Sequence, residues 1–343
     1  MELDIKRKTI NPKKYLFKYF SKGGKEITDS EKIKYYKSLV IPPAWQNVTI
    51  SSNPNKKILV VGYDDKERRQ YKYNKKYIDE QEENKYKEKM LNFIKELPYI
   101  RSGIAKSLAR RTWDADKVAA LVINTIDNSH LRVGNDKYAK ENDSYGITTL
   151  KGGHVDIKSN KVILNFIGKK GVENYSEITE PSTVRLFKNY YNEFQPKDKD
   201  DFFRYYGGYS GDTIYKINSG HINDYIKEFR DDFSIKDFRT YSANEMLLKY
   251  YYNLYKFNGG LKDISQNKLK QGNNKCLDRV SENLNNTRAI CKKSYCSDYL
   301  IGGFNENPTE FISKMKKYMK KKVEPYTGLQ TALLYFFKEY KKQ

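Results

Sequence analysis

The chain has 343 residues, 38% of them hydrophobic, with 31 Tyr and 16 Phe, so a core can form but much of it must be aromatic. Lys and Arg number 65 against 43 Asp and Glu, and the resulting charge of +22 runs along the whole chain instead of sitting in a tail. A basic folded surface of this kind concentrates polyanions by counterion release and steering; nucleic acid is the first partner expected and a membrane surface the second.

The length suits two domains. No apolar run approaches the ~18 residues of a membrane-spanning helix, and the N-terminus MELDIKRKTI lacks a signal-peptide core, so a soluble protein of a reducing compartment is expected. Cys276, Cys291 and Cys296 cannot build a disulfide framework and match no zinc spacing. With His130, His154 and His221 isolated from one another, no metal site and no cofactor are expected.

In chain order, residues 28–39 carry the capping-box spacing Thr28 to Glu31 ahead of a short helical pattern, and IPPAW at 41–45 ends it, since paired prolines cannot continue a helix. NVTI, KILVVGYD and RQYKYN read as strands separated by turn residues. The segment 79–97 is charged and helical, and 105–130 reads as one long amphipathic helix. Residues 144–170 read as three short strands with turns at KGG and KSN; from 180 onward the periodicity is helical. These elements describe an α+β protein: a small β-rich N-terminal domain, 1–80, and a larger mainly α-helical domain, 81–343, carrying a three-stranded antiparallel sheet.

Without histidine or metal, chemistry must come from Arg, Lys, Tyr, Asp or Glu. Arg132, in HLRVGND, is a candidate, although a cation just past a helix also answers the helix dipole. ILNFIGKKG sends a strand into a hairpin turn that projects Lys169 or Lys170, which as readily reads as a solvated turn. Lys236 and Arg239 lie three apart on one helical face, where like charges repel unless an anion sits there; a solvated face is the alternative. Tyr295 gathers these fragments into one chemistry. A tyrosine attacking a phosphodiester needs its phenolate, and the free pKa is about 10. Guanidiniums favour the ionised form and neutralise charge on the phosphoryl oxygens, and a lysine can protonate the departing sugar oxygen.

The ordered set Arg132, Lys169, Lys236-x-x-Arg239, Asn286, Tyr295 resembles the type IB DNA topoisomerases in their short poxvirus and bacterial form. The resemblance spans roughly residues 40 to 300. It rests on IPPAWQNVTISSNP, GYDDKERRQYKY, LRVGNDKYAKENDSYGITTL, FIGKKG, KDFRTYSAN and LNNTRAICKKSY, whose conjunction is specific where each alone is weak. It implies that Tyr295 attacks the scissile phosphate to give a 3′-phosphotyrosyl link and a 5′-hydroxyl, that Arg132 and Arg239 bind nonbridging oxygens, and that Lys169 is the main proton donor, with Lys236 assisting. LNNT stands where the poxvirus enzymes have a glycine–histidine–threonine run, so Asn286 replaces a histidine and keeps a hydrogen-bond donor without the charge; bacterial-type relatives have asparagine there. Thr49 falls where the family usually has tryptophan.

The same resemblance implies a monomer closing as a clamp around double-stranded DNA, with Arg69, Gln70, Tyr71, Tyr73, Lys137 and Tyr138 on the duplex. Tyr71 and Tyr73 lie two apart and share one strand face, which could equally be a packed face. KMKKYMKKK at 314–322 reads as a solvated basic helix face. Abundant Lys, Asn, Ile and Tyr point to an AT-rich genome; together with the resemblance this implies a virion or viral replication site in the host cytoplasm if the source is viral, and the nucleoid or cytoplasm if it is bacterial. A tyrosine recombinase shares this chemistry, but recombinases normally carry histidine three residues before the second arginine, where this chain has Lys236, and lack the IPPAW domain. A non-enzymatic basic DNA-binding protein explains the charge but not the ordered motifs.

Overall fold

A computed structural model describes residues 3–208, 211–261 and 264–343. Two compact units divide the chain, Met1–Lys85 and Tyr86–Gln343.

The first unit comprises β1 (Ile5–Asn11), β2 (Leu16–Ser21), α1 (Ser30–Ser38), β3 (Gln46–Ile50), β4 (Ile58–Tyr63), β5 (Arg69–Tyr73) and α2 (Lys75–Asn84). Its strands form one antiparallel sheet in the order β2-β1-β3-β4-β5. Ile5, Tyr19, Tyr36, Val48, Ile50 and Val60 make its core. The sequence pattern gave no sign of β1 and β2 because β1 buries only Ile5 and Arg7 and is otherwise polar or exposed. Arg7 earns its burial by donating to the carbonyls of Ile41 (3.3 Å), Pro42 (3.1 Å) and Trp45 (2.7 Å), which fixes the double-proline loop. The α1 cap is Asp29 and not Thr28: its Oδ1 accepts from the amides of Glu31 and Lys32.

A π-helical segment (Lys85–Met90) leads into α3 (Leu91–Leu108) and α4 (Ala115–Ser129), so the helix expected over 105–130 is two helices. The break has local causes. Asp114 caps α4 by accepting from the Lys117 amide at 2.9 Å, and the Lys117 ammonium turns back over the Trp113 ring and onto the Arg110 carbonyl. Trp113 itself is buried edge-on against Tyr190. An Asp that bonds nearby backbone amides favours a cap over a helix interior.

The unit continues with α5 (Asp136–Asn142), β6 (Val155–Ile157), β7 (Val162–Ile167), β8 (Glu173–Ile178), α6 (Pro181–Phe194), β9 (Arg204–Gly207), β10 (Thr213–Lys216) and α7 (Ser219–Lys227). It then runs through α8 (Ile235–Phe257), α9 (Gln266–Asn283), α10 (Arg288–Ser294), α11 (Asp298–Glu306), α12 (Pro308–Met319) and α13 (Gly328–Lys342). The three-stranded antiparallel sheet is β6-β7-β8. Residues 144–150, expected as one of its strands, instead contain a 3-10 turn (Ile147–Thr149). Their amides are engaged elsewhere: Ile147 donates to the Arg132 carbonyl at 2.9 Å and Thr148 to that of Val133 at 2.7 Å. The β9–β10 hairpin interrupts the helical region and was not expected from the sequence.

The core of this unit surrounds α4, whose residues Lys117 to Ile123 are all buried. Aromatic rings complete it: Phe93 meets Phe233 and Phe238 edge-on, and Tyr251 stacks on Phe304 at 3.8 Å.

Two glycines let the segment after α4 close onto 146–148. Gly134 adopts φ +98°, and a Cβ at Gly146 would stand 2.5 Å from the Gly134 backbone. Gly146→Ala should therefore cost about 1–3 kcal/mol through overpacking. Denaturant unfolding of the purified variant measures this, and an unchanged midpoint would contradict it.

Candidate active site

Four stretches of the second unit converge here, beginning where α4 stops. His130 takes a left-handed conformation (φ +57°) and its amide closes the helix on the Ile126 carbonyl at 2.8 Å. The backbone bonds from Ile147 and Thr148 then fix the carbonyls of Arg132 and Val133. Its guanidinium does not answer the helix dipole. It reaches the turn between α9 and α10, donating Nη1 to the Asn285 carbonyl at 3.2 Å and Nη2 to Asn286 Oδ1.

The start of α8 supplies the next two groups. A capping box of Ser234 and Asp237 sets its first turn. Lys236 is exposed, whereas Arg239 is only 4% exposed. Arg239 donates Nη2 to the Leu284 carbonyl at 2.8 Å and Nη1 to the His130 carbonyl. Residues 284–286 therefore receive both guanidiniums.

Tyr295 follows the short helix α10 as its C-cap, with its amide on the Cys291 carbonyl at 3.0 Å. It is 8% exposed. The Arg239 guanidinium lies 5.3 Å from its ring centroid and the Lys236 ammonium 5.6 Å. Asn244, one helical stretch beyond Arg239, holds the backbone on both sides: Nδ2 donates to the Tyr295 carbonyl (2.9 Å) and Oδ1 accepts from the Ser297 amide (2.8 Å). Burial by itself would raise the phenol pKa, but the charges of Arg239, Arg132 and Lys236 outweigh it and hold the hydroxyl below its usual value. The thiols of Cys291 and Cys296 pack at 3.8 Å behind the ring's chain segment, unoxidised.

Among the described residues, no carboxylate makes a salt bridge to Arg132, Lys236 or Arg239. Arg239 Nε and Asn286 Nδ2 are buried donors without a protein acceptor. Because Asn286 gives its oxygen to Arg132, its amide nitrogen is the end left to donate. Cations without counter-charge, unsatisfied donors and a low-pKa phenol form a site for an anion with several oxygens, such as a phosphate diester.

Arg132 is thus joined to Asn286, Lys236 and Arg239 are joined to Tyr295, and through the carbonyls of Leu284 and Asn285 the two sets are joined to each other. Lys169 belongs to neither set. It is exposed at the β7–β8 hairpin tip, in a turn where Lys170 (φ 66°) and Gly171 (φ 72°) take left-handed conformations, and among the described residues no contact joins it to the phenol. Asn244 lies within KDFRTYSAN but was not singled out by sequence reasoning; the available signal was a polar residue at a buried position of an otherwise core-facing helix.

On the first unit, Tyr71 and Tyr73 are each 38% exposed and stack at 6.0 Å on the outer face of the edge strand β5, so they do not form a packed core face. The Arg69 guanidinium lies over the Tyr71 ring at 5.3 Å, and Gln70 donates to Asp64 Oδ2 at 2.8 Å. Lys137 and Tyr138 are exposed on α5 in the second unit. Among the described residues, no cluster of three or more His, Cys, Asp or Glu could hold a metal, and no helix is long and apolar enough to cross a membrane.

Residues 73–324 match the family described as eukaryotic DNA topoisomerase I, catalytic core, and residues 16–64 that described as bacterial DNA topoisomerase IB, N-terminal domain. The DNA topoisomerase 1B of Acanthamoeba polyphaga mimivirus is 30% identical over 311 residues, which cover 87% of this chain and 87% of that protein. The DNA topoisomerase I of Monkeypox virus is 26% identical over 247 residues, 71% of this chain and 72% of that one. The DNA topoisomerase 1 of Schizosaccharomyces pombe is 31% identical over 148 residues, 42% of this chain and 16% of that protein.

The charge arrangement makes a titration prediction. In ¹³Cζ-tyrosine NMR, the resonance missing from Tyr295→Phe should titrate below the usual value of about 10. Arg239→Gln should move it upward, because burial then meets less opposing charge. A resonance titrating at or above the usual value in the unaltered protein would contradict this account.

Proposed function

Because the chain belongs to the type IB DNA topoisomerase family, we propose that it relaxes positive and negative supercoils by cutting and resealing one strand of duplex DNA through a 3′-phosphotyrosyl intermediate. The observation that carries this is the buried Tyr295 phenol facing Arg239 and Lys236, with Arg132 anchored beside it and no carboxylate salt-bridged to any of the three among the described residues.

In this reading, Arg132 and Arg239 hold the nonbridging oxygens of the scissile phosphate, and Asn286 Nδ2 adds a neutral donor. The depressed phenol pKa lets the Tyr295 oxygen attack phosphorus as its proton passes to water. The bond from phosphorus to the 5′ oxygen breaks, and Lys169, assisted by Lys236, gives that oxygen a proton. The freed 5′ end swivels to release torsion. Its hydroxyl then attacks the phosphotyrosine, returning its proton to lysine, and the departing phenolate takes a proton back from water to restore Tyr295. The phosphodiester energy is kept in the covalent link, so ATP is not required, and guanidiniums supply the charge neutralisation that a metal provides elsewhere. Lys169 must approach the leaving oxygen when DNA binds, consistent with its place on an exposed hairpin.

The stacked Tyr71 and Tyr73, with Arg69, form a face suited to sugar and base contacts, and Gln70 on β5 and Lys137 and Tyr138 on α5 are further candidate duplex contacts. The protein acts as a monomer whose two units both engage the duplex as a clamp. Its viral relatives support action on viral DNA, in the virion or at the replication site.

Purified protein should relax supercoiled plasmid in EDTA without ATP, and Tyr295→Phe should abolish relaxation; plasmid left supercoiled by the unaltered protein would overturn the reading. Lys169→Ala should slow strand cleavage by about a hundredfold or more. A bridging sulfur at the 5′ position, which leaves without a proton, should restore the rate, and failure to restore it would remove Lys169 as proton donor.

A further inference from the structure

The turn that receives both arginines also touches the base of the hairpin carrying Lys169. Asn285, between Leu284, whose carbonyl accepts from Arg239, and Asn286, whose side chain accepts from Arg132, adopts φ +48°. Its Nδ2 donates to Asn174 Oδ1 at 2.9 Å. Asn174 lies in β8 and is 3% exposed, and its own Nδ2 donates to the Val172 carbonyl at 2.8 Å, just past the hairpin turn. The fit there is close, since a Cβ on Gly168 would stand 2.2 Å from Asn174 Nδ2. Both ends of the Asn174 amide are therefore engaged, one by the hairpin and one by the arginine turn.

We propose that Asn285 and Asn174 are positioning residues that hold the Lys169 hairpin in register with the arginine-binding turn, so that the proton donor approaches the same phosphate that the arginines hold. An isolated hairpin is only marginally stable, and an anchor at its base limits where its tip can reach. The left-handed φ at 285 accepts glycine without strain and asparagine at small cost. The proposal rests on the reading of Lys169 as proton donor.

Asn285→Gly isolates the effect, because it keeps the backbone conformation and removes only the side-chain bond. Single-turnover cleavage would be measured on duplexes carrying either the natural 5′ oxygen or the bridging sulfur, for Asn285→Gly, Lys169→Ala and the double variant. Asn285→Gly should cleave the oxygen substrate about five- to tenfold more slowly, the size expected for one lost hydrogen bond, and the sulfur substrate at the unaltered rate. In the Lys169→Ala background, it should cause no further loss. An equal loss on both substrates, no loss on oxygen, or a full additional loss on top of Lys169→Ala would each overturn the proposal. The two ideas fail separately: if sulfur restores Lys169→Ala but not Asn285→Gly, only the positioning role falls. If sulfur does not restore Lys169→Ala, the proton-donor reading falls and takes the proposal with it.

Discussion

The buried guanidinium of Arg239 is the constraint around which the second unit is organised. Removing a cation from water costs on the order of several kcal/mol unless its donors are met, and here backbone carbonyls of His130 and Leu284 meet the two Nη groups while Nε keeps no protein acceptor. Neither carbonyl would be available in regular helix. The first is freed because α4 ends in a left-handed residue, and the second because α9 ends at the turn leading into α10. Helix endings far apart in sequence are thus aligned on one side chain, and Tyr295, at the end of α10, comes to rest against it.

Carbonyls orient Arg239 without cancelling its charge. The remaining field falls on the Tyr295 phenol and on whatever anion enters beside it, and burial makes that field stronger than it would be in water. Asn244 complements this arrangement by bonding the Tyr295 carbonyl and the Ser297 amide, which holds the phenol's chain segment beside the cations. Chemistry and stability are consequently coupled: the groups that would act on phosphate are also those that need one another to remain buried.

Much of the site could be read from the sequence because its residues sit in short motifs whose order is itself informative. Arg132 lies with Asn286, and Lys236 and Arg239 lie with Tyr295, around the same turn, and the GKKG hairpin forms between the strands β7 and β8. What escaped were interactions carried by ordinary polar residues with distant partners. Asn174 and Asn285 have no local pattern that announces a bond between positions 111 apart. The fold shows the same division. Helices with apolar faces were visible, but β1 was not, because its inward positions are few and one of them is Arg7. The break before α4 turned on Asp114 and Trp113, where a cap and a buried ring overrode a helical pattern that continued on both sides.

The account stands most directly on the identity of the atom that takes the DNA strand. A duplex cleaved by the protein and denatured during reaction should leave a covalent adduct whose proteolytic fragment is found by mass spectrometry. The prediction is a nucleotide joined through its 3′ phosphate to Tyr295. A link to another residue, or to a 5′ phosphate, would contradict it.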